Sequence, residues 1–338
     1  MTPSPTMERY QETAPGCHVD LSDNTNLFGR PPSVARILES ASNVDLTRYP
    51  SAYSGELKAA IARHVGIDES MVVVGCGSDD VLDSTLRAFG APDDLLVQLD
   101  PSFSMMKVFG GVSGLRVEAI PPGDDLAETI ARSTPAITYL CSPNNPTGAV
   151  LPLEMMEQIV RESSGIVIID EAYVEFAGVT SVDLLHKYGN VIITRTMSKA
   201  MGLAGCRVGF GIGHPALVSR VEAARGPYKV STLSERLSIA VLENDAAWVA
   251  ENVALATATR ERFARELEVL GYKPLPSSAN FLLVPVANSG QAEADCRAGG
   301  IAVRRFESLA GIGDALRVTV GPWPMMERCL DALRAQAS

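Results

Sequence analysis

The sequence lacks the patterns of a disulfide scaffold, a zinc protein or a membrane span. Its six cysteines, Cys17, Cys76, Cys141, Cys206, Cys296 and Cys329, form no C-x-x-C pair, and its four histidines, His18, His64, His186 and His214, show no H-x-x-x-H spacing. Neither a cystine framework nor a metal site is expected. No apolar run approaches the roughly 18 residues that a membrane-crossing helix needs. Met1 to Asp20 carries no basic start followed by an apolar block, so the chain is read as cytoplasmic. Basic residues are the minority: 29 Lys and Arg stand against 40 Asp and Glu, a net charge of -11. Nucleic acid and anionic lipid attract clustered cations, so neither is an expected partner. Aromatic residues are also few, at 6%, yet 46% of the chain is hydrophobic and only 20% charged, which excludes a disordered chain. Its 338 residues suffice for about two domains.

What is present is a series of short apolar runs: Met71 to Val74, Leu95 to Leu99, Ala136 to Leu140, Ile166 to Ile169, Val191 to Ile193 and Val208 to Ile212. Runs of this length, with helical patterns between several of them, fit strands covered on both faces in a mainly parallel sheet. After Pro227-Tyr228 the texture turns to long helical stretches over Thr232 to Gly271. Strand-like segments follow at Asn280 to Val284 and Leu316 to Val320, then a last helix from about Pro324 to Gln336. The expected architecture is a large α/β domain over residues 35–230. A smaller, discontinuous α+β domain takes residues 1–34 and 231–338.

Several strand ends carry chemistry. Met71 to Val74 leads into Gly75-Cys76-Gly77-Ser78-Asp79 and an amphipathic stretch. Glycines at a strand-to-helix turn let backbone N–H groups approach a phosphate, which the helix dipole also favours. Ser78 and Asp79 equally suit a plain N-cap, and Gly75-Cys76-Gly77 leaves open a nicotinamide-dependent dehydrogenase, although Asp80 stands where a third glycine would be wanted. Ala136 to Leu140 runs into Cys141-Ser142-Pro143-Asn144-Asn145-Pro146-Thr147-Gly148. These residues make a tight turn, or aim one Asn amide at a ligand. Asp170 ends the run Ile166 to Ile169, where open α/β sheets place their ligand crevice, and Tyr173 follows.

Lys199 lies just after an apolar strand, in Arg195-Thr196-Met197-Ser198-Lys199-Ala200, with Arg207 eight residues on. Burial and a neighbouring cation lower a lysine's pKa and expose its neutral amine for attack on a carbonyl. A lysine for an aldehyde, a carboxylate for a ring nitrogen, and Ser198 with Arg207 for a phosphate are together what pyridoxal phosphate requires.

The matching stretches extend over nearly the whole chain: Arg48-Tyr49-Pro50, Ser142 to Gly148, Asp170 to Phe176, Arg195 to Ala200, Leu203 to Phe210, Ser278-Ala279-Asn280-Phe281 and Leu316 to Gly321. On these the chain resembles fold-type I pyridoxal-phosphate-dependent aminotransferases, closest to the histidinol-phosphate aminotransferase group. The resemblance implies a mainly parallel seven-stranded sheet between helices. It makes Lys199 the lysine that bonds the cofactor aldehyde and carries the proton, with Asp170 on the pyridine nitrogen and Asn145 and Tyr173 on the ring hydroxyl. Ser78, Asp79, Thr196, Ser198 and Arg207 form the phosphate cup, and Phe103 stacks on the ring. Tyr49 reaches the phosphate of a neighbouring subunit, which implies a homodimer with shared active sites. Arg317 clamps a substrate carboxylate, Arg304 or its neighbour Arg305 contacts a substrate phosphate, and Tyr10 is a further candidate phosphate contact.

The implied reaction moves an amino group from histidinol phosphate or a related amino acid to 2-oxoglutarate in a ping-pong cycle. A decarboxylase of the threonine-phosphate type and an aromatic amino acid aminotransferase share these motifs and stay open. The chain departs from the family where Asn-Glu-Asn-Pro is usual near the start: it reads Ser22-Asp23-Asn24-Thr25-Asn26-Leu27. Phe103 likewise replaces a tyrosine.

Overall fold

The computed structural model describes residues 16–41 and 47–334. In chain order the strands are Val19–Asp20 (β1), Val72–Cys76 (β2), Leu95–Leu99 (β3), Arg116–Ile120 (β4), Ile137–Cys141 (β5), Ile166–Asp170 (β6), Val191–Thr196 (β7), Val208–Gly213 (β8), Phe281–Pro285 (β9), Ile301–Ala302 (β10), Arg304–Leu309 (β11) and Gly313–Thr319 (β12). Seven of them form one sheet in the order β2-β8-β7-β6-β5-β3-β4. Only β8 runs against its neighbours: it is antiparallel to both β2 and β7, and every other pairing is parallel. The α/β architecture is the one expected. The edge strand β4 escaped the sequence reading because its residues alternate between exposed and half-buried, so it carries no continuous apolar run.

The reversal of β8 decides what reaches the cleft. The carboxyl ends of β2, β5, β6 and β7 share one edge of the sheet, and the start of β8 lies at that same edge, with Gly209 opposite both Gly75 and Thr196. Arg207, immediately before β8, is thereby delivered beside the ends of the parallel strands.

The smaller lobe is built on the antiparallel sheet β11-β12-β9. The N-terminal segment joins it, because β1 pairs in parallel with β10, Val19 opposite Ile301. Val19, Leu21, Phe263, Leu267, Leu282, Leu316, Val318 and Leu330 share its core. The apolar packing does not change at residue 230. Helix Thr232–Asn244 lies against helices Pro32–Glu39 and Gly55–Val65, and its Val241 and Leu242 are buried in the core of the large sheet. A helix's own apolar stripe does not say which lobe covers it. Helix Ala246–Val269, 24 residues or about 36 Å long, buries Val249 in the large core and Phe263 and Leu267 in the small one. It bolts the lobes together. The last helix runs Trp323–Arg334. Among the described residues no helix is long and apolar enough to cross a membrane, and no cluster of His, Cys, Asp or Glu is placed to hold a metal.

Candidate active site

The floor of the cleft is Asp170, the last residue of β6 and 4% exposed. Its neighbours in the sheet supply donors. The Tyr139 hydroxyl donates to Oδ2 at 2.7 Å, the Thr194 hydroxyl to Oδ1 at 3.1 Å and the Ala172 N–H to Oδ1 at 3.2 Å. Burial raises the carboxyl to about 6, against these hydrogen bonds, which favour the anion. One residue on, Glu171 accepts two hydrogen bonds from Arg195, at 3.0 and 2.8 Å, and two more from Ser181, at 2.6 and 2.7 Å. This buried pair joins the carboxyl ends of β6 and β7 directly behind the floor.

Lys199 follows β7 and is half-buried, with Nζ donating to the Asp23 carbonyl at 2.9 Å. Burial above all, then the Arg317 guanidinium, pushes its ammonium down to about 8, with Asp23 and Asp79 partly opposing. Arg317, on β12, donates from Nη1 to Asn145 Oδ1 at 2.6 Å and from Nη2 to the Ser22 carbonyl at 2.5 Å. Its guanidinium lies 5.5 Å from the Phe281 ring and 5.8 Å from the Phe306 ring. Tyr173, 3% exposed, accepts from Asn24 Nδ2 at 2.9 Å and meets Phe281 edge-on at 5.2 Å. Burial raises its phenol well above the ordinary range. The N-terminal stretch Ser22 to Asn24 thus touches the lysine, the arginine and the tyrosine.

The two asparagines of the turn divide the work. Asn144 holds the turn: its Nδ2 donates to the Pro101 carbonyl at 3.1 Å and to Thr147 Oγ1 at 2.8 Å, and its Oδ1 accepts from Ser102 at 3.0 Å. Asn145 turns to Arg317 across the cleft.

A second group gathers at the start of helix Ser78–Phe89. Gly77 caps it at φ 82°, and a Cβ there would come within 2.6 Å of Arg207 Nη2. A Cβ at Gly209 would fall 2.0 Å from the Ser78 nitrogen, so glycine is what lets β8 pass this close to the helix start. Thr196 Oγ1 donates to Ser198 Oγ at 3.0 Å and accepts from the Ser198 N–H at 3.1 Å. Arg207 Nη2 lies 3.6 Å from Asp79 Oδ2. Burial raises the Asp79 carboxyl, while Arg207 and Lys199 pull it back. Helix N–H groups, two hydroxyls and a guanidinium gathered beside Gly77 and Gly209 are chemically suited to a phosphate.

The Aminotransferase class I and II profile matches residues 18–333. The chain belongs to that family. It is 36% identical over 322 residues to histidinol-phosphate aminotransferase 2 of Gluconobacter oxydans, covering 93% of this chain and 90% of that one. It is 32% identical over 320 residues to the histidinol-phosphate aminotransferase of Thermoanaerobacter pseudethanolicus, covering 92% and 91%. The crystal structure of the Sinorhizobium meliloti histidinol-phosphate aminotransferase in complex with pyridoxal-5'-phosphate superposes with TM-score 0.87 at 25% identity, over 95% of this chain and 91% of that one. The protein is therefore a pyridoxal-phosphate-dependent aminotransferase of fold-type I.

The remaining residues of the sequence reading sit as follows in this aminotransferase. Phe103 packs against the core cluster that includes Leu82, Met106, Tyr139 and Cys141. Tyr49 is 83% exposed and stacks on Tyr228, ring centroids 4.8 Å apart, so within one chain it lies away from the cleft floor. Arg304 stands directly opposite Arg317 in the β11–β12 register, on the same face of the sheet. Arg305 pairs with Leu316 on the other face, is exposed and bridges to Glu307 at 3.2 Å. Tyr10 lies outside the described residues. The sequence reading missed Tyr139, Thr194 and Asn24. Tyr139 and Thr194 lie in largely apolar strands on either side of Asp170: Thr194 stands directly opposite it, and Tyr139 two residues before Cys141, which does so on the other side.

Proposed function

We propose that this aminotransferase takes a phosphorylated amino donor of the histidinol phosphate type and passes its amino group to 2-oxoglutarate, with pyridoxal phosphate held in the cleft between Asp170 and Arg317. The observation that carries the donor class is the pairing of Arg304 with Arg317 across β11 and β12, two arginines side by side on one face of the sheet. Forked donors of this kind suit a phosphate or a carboxylate. One pair of anion sites serves both half-reactions: the donor's phosphate in the first, the keto acid's carboxylate in the second.

The residues fit the cofactor. Gly77, Ser78, Asp79, Thr196, Ser198 and Arg207 would hold its phosphate, and Asp170, a carboxyl already furnished with three donors, would take the ring nitrogen. Asn145 and Tyr173 would hold the ring oxygen, and Phe103 would cover one face. The cofactor supplies an electron sink for the bond that breaks at the donor's α-carbon. Lys199 would take the proton from that carbon and hold it, a task its lowered pKa suits near neutral pH. Asp170 would hold a positive charge on the ring nitrogen, and Arg317 would orient the substrate. The exposed Tyr49 extends to the phosphate-binding residues of a second copy, completing two shared sites in a homodimer. The six free thiols suit the reducing cytoplasm.

The test is product analysis. Histidinol phosphate with 2-oxoglutarate should give glutamate and the keto product one for one. Release of carbon dioxide from threonine phosphate without glutamate would replace this reading by the decarboxylase, and glutamate formed only from aromatic donors would replace the donor class.

A further inference from the structure

Asn24 is held more firmly than a loop residue needs to be. It is 1% exposed and sits at φ 56°, in the left-handed region that asparagine tolerates better than most side chains. Its N–H donates to Thr319 Oγ1 at 2.9 Å, and the Thr319 hydroxyl donates its own proton to Asn24 Oδ1 at 3.2 Å. Asn280 Nδ2 donates to the Asn24 carbonyl at 3.0 Å. The Thr319 hydroxyl faces the oxygen end of the amide. The other end, Nδ2, therefore donates to Tyr173 Oη at 2.9 Å.

Two consequences follow for Tyr173. Its oxygen accepts from Asn24, so its own proton is left to donate into the cleft, and the Phe281 ring, at 79° to it, fixes the phenol's plane. An N–H donated to a phenol oxygen also makes the phenol the stronger donor, because successive hydrogen bonds polarise one another. Tyr173 follows β6 of the large lobe. Thr319 ends β12 of the small lobe, two residues beyond Arg317.

We propose that Asn24 is a positioning residue that aims the Tyr173 hydroxyl at the cofactor's ring oxygen, sets the strength of that donation, and ties it to the strand that bears Arg317. The proposal rests on the cofactor reading above. A stronger donor at the ring oxygen would hold negative charge there and lower the proton affinity of the neighbouring Lys199 nitrogen, distinct from the ring nitrogen that Asp170 faces. The pH at which the visible band of the loaded protein changes should therefore register Asn24.

The experiment titrates that band in wild type, Asn24→Gly, Asn24→Asp, Tyr173→Phe and the double variant Asn24→Gly/Tyr173→Phe. Glycine keeps the left-handed backbone, and aspartate keeps the shape while losing the donor. Both single Asn24 variants should raise the midpoint by roughly 0.5 to 1 pH unit, the amount one hydrogen bond supplies. Asn24→Gly should add nothing in the Tyr173→Phe background. No shift, or equal shifts in both backgrounds, would overturn the proposal. The same cycle is read on cofactor-free protein from urea unfolding, where the two changes should be less than additive. Full additivity there would remove the contact itself. A wild-type protein with no visible band but a coupled cycle would instead remove the cofactor reading, and the role with it, while leaving the contact.

Discussion

The Tyr139 hydroxyl donates to Asp170 Oδ2 across 2.7 Å in the buried floor of the cleft. The two residues sit on adjacent parallel strands, and the bond runs sideways through the sheet. A carboxylate so placed is costly to ionise without donors, and burial does raise Asp170 to about 6. Folded Asp170 thus binds its proton more tightly than the unfolded chain does. Its contribution to stability is complete below about pH 4 and is lost as pH rises through about 6. Tyr139→Phe removes a donor that favours the anion, so Asp170 should rise further and the loss should extend to higher pH. Urea unfolding of cofactor-free protein should find Tyr139→Phe less stable than wild type by about 1–3 kcal/mol at pH 8, and closer to wild type at pH 5. An equal gap at both pH values would contradict this.

Lys199 gives a second pH dependence, of opposite origin. Burial and Arg317 both disfavour its ammonium, which brings the side chain down to about 8. In cofactor-free protein the rate of pyridoxal phosphate capture should climb with pH through about 8 and then level. Removing the cation favours the ammonium, so Arg317→Met should move that midpoint to higher pH. A midpoint near 10 in wild type would mean an ordinary solvated lysine.

The β11 strand offers two neighbouring arginines with opposite expectations. Arg304 shares a face with Arg317, whereas Arg305 faces away towards Glu307. Arg304→Ala should lower kcat/KM for histidinol phosphate by roughly 10- to 100-fold, about 1.5–3 kcal/mol for a charged hydrogen bond, and should affect an unphosphorylated donor less. Arg305→Ala should stay near wild type, as exposed ion pairs contribute little. Steady-state kinetics with both donors decides it, and equal losses for the two donors would remove Arg304 from donor selection.

The large sheet was legible because its central strands are buried on both faces and read as continuous apolar runs. The edge strand β4 and the polar strand β11 offer no such run, and both went unread. Lys199, Asp170, Asn145 and Arg317 were legible as residue types at strand ends or in matching stretches. The partners of Asp170 and Tyr173 were not, because Tyr139 and Thr194 reach Asp170 only through sheet register and Asn24 reaches Tyr173 across the chain. The choice between Arg304 and Arg305 needed the antiparallel register for the same reason: in a strand, one residue of offset reverses the face.

The central claim is that Lys199 bonds the cofactor. Borohydride reduction of the loaded protein, followed by peptide mass mapping, tests it most directly. The pyridoxyl mass should appear on the peptide containing Lys199 and vanish in Lys199→Ala. Stoichiometric label on any other lysine, or unchanged labelling in Lys199→Ala, would contradict the account.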